Sequence, residues 1–331
     1  MSVAPITINV APVKVRVHHR IKVVTGIGFC VITLALCMLA GRRLTSTSWP
    51  LQDTDAVLVI AAASAYLASF FLRALGWQRL FPGERPDRSR CLAACGAAAA
   101  SGVVLPFRLD YVVKISTLRR LGGVRLGLET IGLSIVTLGL VDAVAMLPLA
   151  LAAISTSGAI FRAPLIVVLL FCLGCIAVLA LGPRLVRLPF VSRSARVERI
   201  FLRVGEHAGI SRSTMAAGGF LFGCWTMRAL GSTLLLSALG VGFSPSLALV
   251  ILCMAAAASI LPITAGGAIV GVGATSGVLL ALGVSKRVAI NFSLASGMLL
   301  TVTALVAALV GVGGSLFYTL HRRHVAHATL G

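Results

Sequence analysis

The sequence predicts an all-α polytopic membrane protein, with about six full spans and two re-entrant hairpins in two halves of inverted topology. Three observations carry this prediction. Of the 331 residues, 58% are hydrophobic and 11% charged, with a mean hydropathy of +1.03, too little polar surface for a water-soluble domain of this length. The apolar residues fall in runs as long as a bilayer crossing. The basic residues gather in some of the connections between those runs and avoid others.

The elements follow in order. Lys14, Arg16, Arg20 and Lys22 precede an apolar run over 21–41, long for a signal peptide and near the ~20 residues a bilayer needs, so it reads as an uncleaved first span. Further spans are expected at 55–76, 126–154, 163–182, 214–240 and 288–318. Two regions differ. Residues 91–105 stop at Pro106, and 247–261 and 268–282 are split by Pro262-Ile263-Thr264-Ala265-Gly266-Gly267. A helix of about 15 residues reaches about 22 Å, short of the ~30 Å hydrocarbon core. Both regions are therefore expected to re-enter.

Charge sets the orientation. The formal charge is +20, from 29 Lys and Arg against nine Asp and Glu. With the N-terminus inside and both hairpins re-entrant, 23 of the 29 basic residues are cytoplasmic and five are outside, with Arg228 inside a span. That asymmetry places both termini in the cytoplasm of a cell with this protein in its inner or plasma membrane. The same clusters suit anionic lipid rather than a continuous basic groove, so no nucleic-acid partner is expected.

The resulting division is a cytoplasmic tail over 1–20, a first membrane half over 21–155, a second over 156–320 and a cytoplasmic tail over 321–331. Short strings recur between the halves. Arg73-Ala74-Leu75-Gly76 returns as Arg228-Ala229-Leu230-Gly231. Cys95, Ala97 to Ala100, Ser101 and Leu105-Pro106 return as Cys253, Ala255 to Ala258, Ser259 and Leu261-Pro262. Arg73 precedes Pro106 by 33 residues and Arg228 precedes Pro262 by 34. Shared order and spacing point to an inverted repeat with broken hairpins near the midplane.

Candidate binding residues come from the breaks and from charge inside spans. After Pro106, which ends the first short helix, Arg108 and Lys114 can meet a phosphate, and Asp110 a cationic headgroup or Arg108 itself; an ordinary loop with snorkelling side chains is the alternative. At the second break, Pro262, Thr264, Gly266 and Gly267 offer free amides and a hydroxyl before a helix start. The Gly267/Gly271 spacing serves close helix packing rather than nucleotide binding. Asp142 and Arg228 sit mid-span, where an ionised group costs about 2.5–3.5 kcal/mol, and at matching depths they are expected to pair. Glu129 lies near a span end, where it can reach water. Arg73 is counted with the cytoplasmic cluster that runs to Arg90. The eight cysteines all lie in apolar segments, and even the Cys172/Cys175 pair lacks the further ligands of a zinc site, so they read as small buried hydrophobes. No P-loop, HExxH or GxSxG is present, so neither a catalytic constellation nor a cofactor is expected.

At the two breaks the sequence resembles the lysylphosphatidylglycerol synthase transmembrane family. The first motif of that family reads here Pro106, Arg108, Asp110, Lys114 and Leu118-Arg119-Arg120-Leu121-Gly122. The second reads Pro262-Ile263-Thr264-Ala265-Gly266-Gly267 followed by Leu282-Gly283-Val284. Ala265 stands where the family has a second proline, no acid follows Gly267, and Leu138 and Gly139 replace a Glu-Arg pair ahead of Asp142. The resemblance implies a flippase-like or lipid-transporting protein whose substrate headgroup sits between the hairpin tips. The implied partners are membrane lipids with anionic or zwitterionic headgroups, and either a second copy or a separate lipid-modifying enzyme. The chain ends after its last span with no aminoacyl-transferase domain, so lipid aminoacylation is not expected. Two other readings stay open: a non-transporting scaffold for a lipid or envelope enzyme, and a membrane-embedded transferase acting on lipid-linked substrates.

Overall fold

The computed structural model describes residues 51, 54–81, 83–103, 105, 109–121, 126–185, 211–260 and 267–328. Contacts divide the chain into two units, Met1–Thr47 and Ser48–Gly331, and the described residues belong to the second. The expected span over 21–41 lies outside them. Among the described residues all regular structure is helical: α1 (Ala56–Arg79), α2 (Arg88–Gly102), α3 (Asp110–Arg120), α4 (Leu128–Thr156), α5 (Ala159–Leu185), α6 (Arg212–Ala238), α7 (Pro245–Ile260), α8 (Gly267–Ala281) and α9 (Lys286–Ala328).

Five of these, α1, α4, α5, α6 and α9, are long and apolar enough to cross a membrane. They coincide with the five expected spans in this region to within a few residues. Local chemistry fixes several starts. The Asp55 carboxylate accepts the Val57 N–H at 2.9 Å ahead of α1, and the Ser211 hydroxyl accepts the Thr214 N–H at 3.2 Å ahead of α6, satisfying donors that a helix start leaves open. The four short helices fall where the sequence is broken. α2 packs on α3 and α7 packs on α8, so 247–282 is two helices rather than one.

α1 and α6 make the most extensive helix pair and run antiparallel. Gly76, near the end of α1, faces Ala217 and Leu221 at the start of α6, while Gly231, near the end of α6, faces Ala62 and Tyr66 at the start of α1. A Cβ on Gly76 would lie 3.1 Å from Leu221 Cγ, and one on Gly231 would lie 3.0 Å from the Tyr66 ring. Each glycine thus lets the partner backbone approach closely. The two contacts share one register: each glycine meets residues 14 and 10 positions ahead of the other glycine.

Further contacts set the remaining directions. α4 runs antiparallel to α1, with Asp142 beside Arg73 and Ser134 beside Trp77. α2 runs antiparallel to α9, with Gly96 against Ala304 and Ala308, and Gly311 against Ser89 and Ala93. A Cβ on Gly96 would lie 2.6 Å from the Ala308 nitrogen, and the Gly311 position is as tight against Ser89. Ala304 stands near the middle of the apolar stretch Lys286–Tyr318, so α2 reaches the middle of the bundle.

Two consequences follow for the chain path. Because α1 and α4 are antiparallel, residues 80–127 leave and rejoin one end of the bundle. α9 closes at that same end, beside the start of α2, whereas α6 closes at the opposite end. Residues 239–285 therefore leave and rejoin the opposite end.

Candidate functional site

The polar side chains of the bundle gather on one face of α1. Tyr66, Ser69, Phe70, Arg73 and Trp77 recur at helical spacing, so they line a single stripe, with successive rungs about 6 Å apart along the axis. Each rung carries a partner from another helix. The Tyr66 hydroxyl shares a hydrogen bond with the Ser232 hydroxyl of α6 at 3.1 Å. Arg228 of α6 donates from Nε to Ser69 Oγ at 3.4 Å, with its guanidinium carbon 5.6 Å from the centre of the Phe70 ring and 5.2 Å from that of Trp225. Arg73 donates from Nη2 to Asp142 Oδ2 of α4 at 2.6 Å. Trp77 donates from Nε1 to Ser134 Oγ of α4 at 3.1 Å and lies beneath Lys114 of α3, whose Nζ is 4.2 Å from the ring centre.

This geometry corrects two expectations. Asp142 pairs with Arg73, not with Arg228. Its other oxygen, Oδ1, accepts the Trp225 Nε1–H at 2.9 Å, while the face of the same indole meets Arg228. Equal depth along the spans does not decide a pair; the faces of α1 and α6 do, and the α1 face that meets α4 carries Arg73. Nor does Arg73 belong with the cytoplasmic cluster in which its charge is counted. It lies within α1, six positions before its last residue Arg79.

The other predicted site residues are distributed as follows. Asp110 is the first residue of α3, and a Cβ on Gly102, the last residue of α2, would lie 3.6 Å from it. Lys114 is buried. α3, which carries it, is too short to be a span. Gly267 opens α8 and Gly271 stands one turn further. Pro106, Arg108, Pro262, Thr264 and Gly266 lie outside the described residues, as do the hairpin tips that the sequence expects to meet.

Arg73, Trp225, Trp77, Ser69 and the Tyr66–Ser232 pair were not singled out from sequence. For Arg73 a signal existed. Arg228 reads from sequence as intramembrane, and Arg73 opens the same four-residue string, which ends in the same small glycine. The apolar stretch also continues past Arg73 to Trp77.

The chemistry of the stripe is electrostatic. Three cations stand along it, and among the described residues Asp142 is the sole carboxylate paired with any of them. Aromatic faces and hydroxyls hold the others. Cys91, Cys95 and Cys224 are free and buried, as are Cys172, Cys175 and Cys253; Cys30 and Cys37 lie outside the described residues. Among the described residues no three His, Cys, Asp or Glu side chains gather as a metal site would need.

No curated protein and no solved structure matches the chain. The family model described as Lysylphosphatidylglycerol synthase TM region matches residues 23–311, a stretch that runs from before α1 into α9. The chain is a multi-pass membrane protein with a lipid-related function, and it belongs to the lysylphosphatidylglycerol synthase TM region family.

Proposed function

We propose that this protein moves lipid headgroups across the membrane, without a chemical step, through the interior of two inverted halves. The observation that carries the reading is the polar stripe of α1 at the centre of an apolar bundle. Ionised groups are costly at that depth and are tolerated where they line a path or hold one closed. The packing supports the inverted arrangement. α1 meets α6 through matched glycines, and the two broken regions rejoin opposite ends of the bundle. α2 packs on α9 and α7 packs on α4, so the first arm of each broken region lies on the last span of the other half. In transporters built this way the substrate sits at the interface of the repeats, near the midplane.

The lipid tail would stay in the bilayer while the headgroup follows the stripe. The uneven basic charge supports cytoplasmic termini and a cell-membrane location. Reconstitution tests this directly. Proteoliposomes bearing a lipid with a fluorophore on its headgroup should lose more than the outer-leaflet signal to an impermeant quencher. A loss equal to that of protein-free vesicles would remove the transport reading and leave the scaffold one.

A further inference from the structure

We propose that the α1 stripe selects a phosphate-bearing anion, with Lys114, Arg73 and Arg228 as successive rungs of one binding path. This rests on the transport reading and names its substrate class. The first argument is the order of the cations. Lys114 lies over Trp77, Arg73 is part of α1 itself, and Arg228 lies over Phe70 and against Ser69. An anion leaving one rung therefore meets the next about one helical turn on. The second argument is charge balance. Asp142 offsets one of the three cations and is already taken by Arg73 and the Trp225 indole. Among the described residues the column is left with an excess of positive charge at a depth where unbalanced charge is expensive.

The third argument is how the two end cations are held. Lys114 and Arg228 rest on ring faces, which leaves donors of each available to a ligand in a way that a carboxylate partner would not. A phosphate diester offers anionic oxygens that accept several such donors at once. A headgroup with net positive charge would gain at Asp142 alone and would be repelled at the other rungs. The mouth of the column has the same sign. Arg119 and Arg120, which end α3, are exposed, whereas the charge of Arg90 in the first turn of α2 is offset by Asp87 at 3.3 Å.

Binding measurements on the full-length protein in nanodiscs of phosphatidylcholine test the proposal. The probes are tail-labelled phosphatidylglycerol, tail-labelled phosphatidylcholine and a lysine-esterified, cationic phosphatidylglycerol, with inorganic phosphate as competitor. Phosphatidylglycerol should bind about tenfold more tightly than the cationic lipid. Lys114→Gln and Arg228→Gln should each weaken it roughly tenfold, the loss of one charge-assisted contact, while phosphatidylcholine binding changes less. Competition by inorganic phosphate at millimolar levels would support a site for the phosphate group itself; no competition would support one that needs the lipid as a whole. If Arg228→Gln does not fold, Arg228→Lys decides: it keeps the charge and should hold the anion preference within about threefold. Equal binding of all three lipids, unchanged in the variants, overturns the proposal while leaving lipid handling in place. Binding of no lipid at all would overturn both.

Discussion

Arg73 and Arg228 open the same four-residue string in two helices that pack against each other, yet they are held in opposite ways. Arg73 is locked by a 2.6 Å ion pair with Asp142. Arg228 has a long contact to one hydroxyl and the faces of two rings. The glycines that follow them match closely in what they touch, so the backbone of the crossing is nearly symmetric while its charge is not. The difference teaches that the symmetry of this bundle is a property of packing. The side chains depart from it: one arginine holds α1 against α4 through an ion pair, and the other rests on a hydroxyl and two ring faces.

The largest effect should come from breaking the locked side. Arg73→Met leaves the Asp142 carboxylate, whose side chain is 13% exposed, with only the Trp225 indole, and should cost about 3 kcal/mol of stability. Adding Asp142→Leu should recover most of that loss in thermal unfolding of the purified protein. A double variant whose loss equals the sum of the two single losses would show that the pair is not coupled.

The glycines sharpen the comparison next. Gly231→Ala pushes on the Tyr66 ring, which is buried and hydrogen-bonded to Ser232, and should cost about 2 kcal/mol. Gly76→Ala pushes on Leu221 Cγ at 3.1 Å and on the Ala217 carbonyl oxygen at 3.2 Å, slightly looser than the ring contact and with no side-chain hydrogen bond to disturb, and should cost about 1 kcal/mol. Equal unfolding midpoints for the two variants would mean that the crossing is symmetric in energy as well as in register.

Trp225→Phe separates two roles of one residue. It removes the Nε1 donor to Asp142 and keeps a ring under Arg228, so the expected loss is about 1 kcal/mol. Lipid binding should change less than it does in Arg228→Gln. The smallest stability effect belongs to Arg228→Gln, about 0.5–1 kcal/mol for the ring contacts given up. A drop as large as that of Arg73→Met would show that Arg228 is a structural anchor after all.

Much of this fold was legible in the sequence because membrane spans announce themselves by length and composition. The five spans within the described residues were expected within a few positions, and so were the breaks that make α2, α7 and α8 short. The repeated strings located the crossing glycines without showing what they touch. The site was read less well. Lys114 reads from sequence as a phosphate contact and Asp142 and Arg228 as partners of each other, while Arg73, inside the expected span over 55–76, is counted with the cytoplasmic charge rather than as a partner for Asp142. Asp142 and Arg228 stand at similar depth in spans of parallel direction, and depth was the only coordinate that the sequence supplied.

The sequence by itself determined which segments are long and apolar enough to cross a bilayer, where helices must stop and which charges lie within those segments, because these depend on the transfer of residues from water to lipid along one dimension. Tertiary structure alone decided which face of each helix meets which neighbour. The α1 stripe, the indole that touches both Asp142 and Arg228, and the choice of Arg73 as the paired cation all follow from rotation about helix axes. That rotation is set by glycine contacts such as Gly76–Ala217 and Gly311–Ser89, which join residues far apart in the chain and leave no periodic trace in either segment read alone.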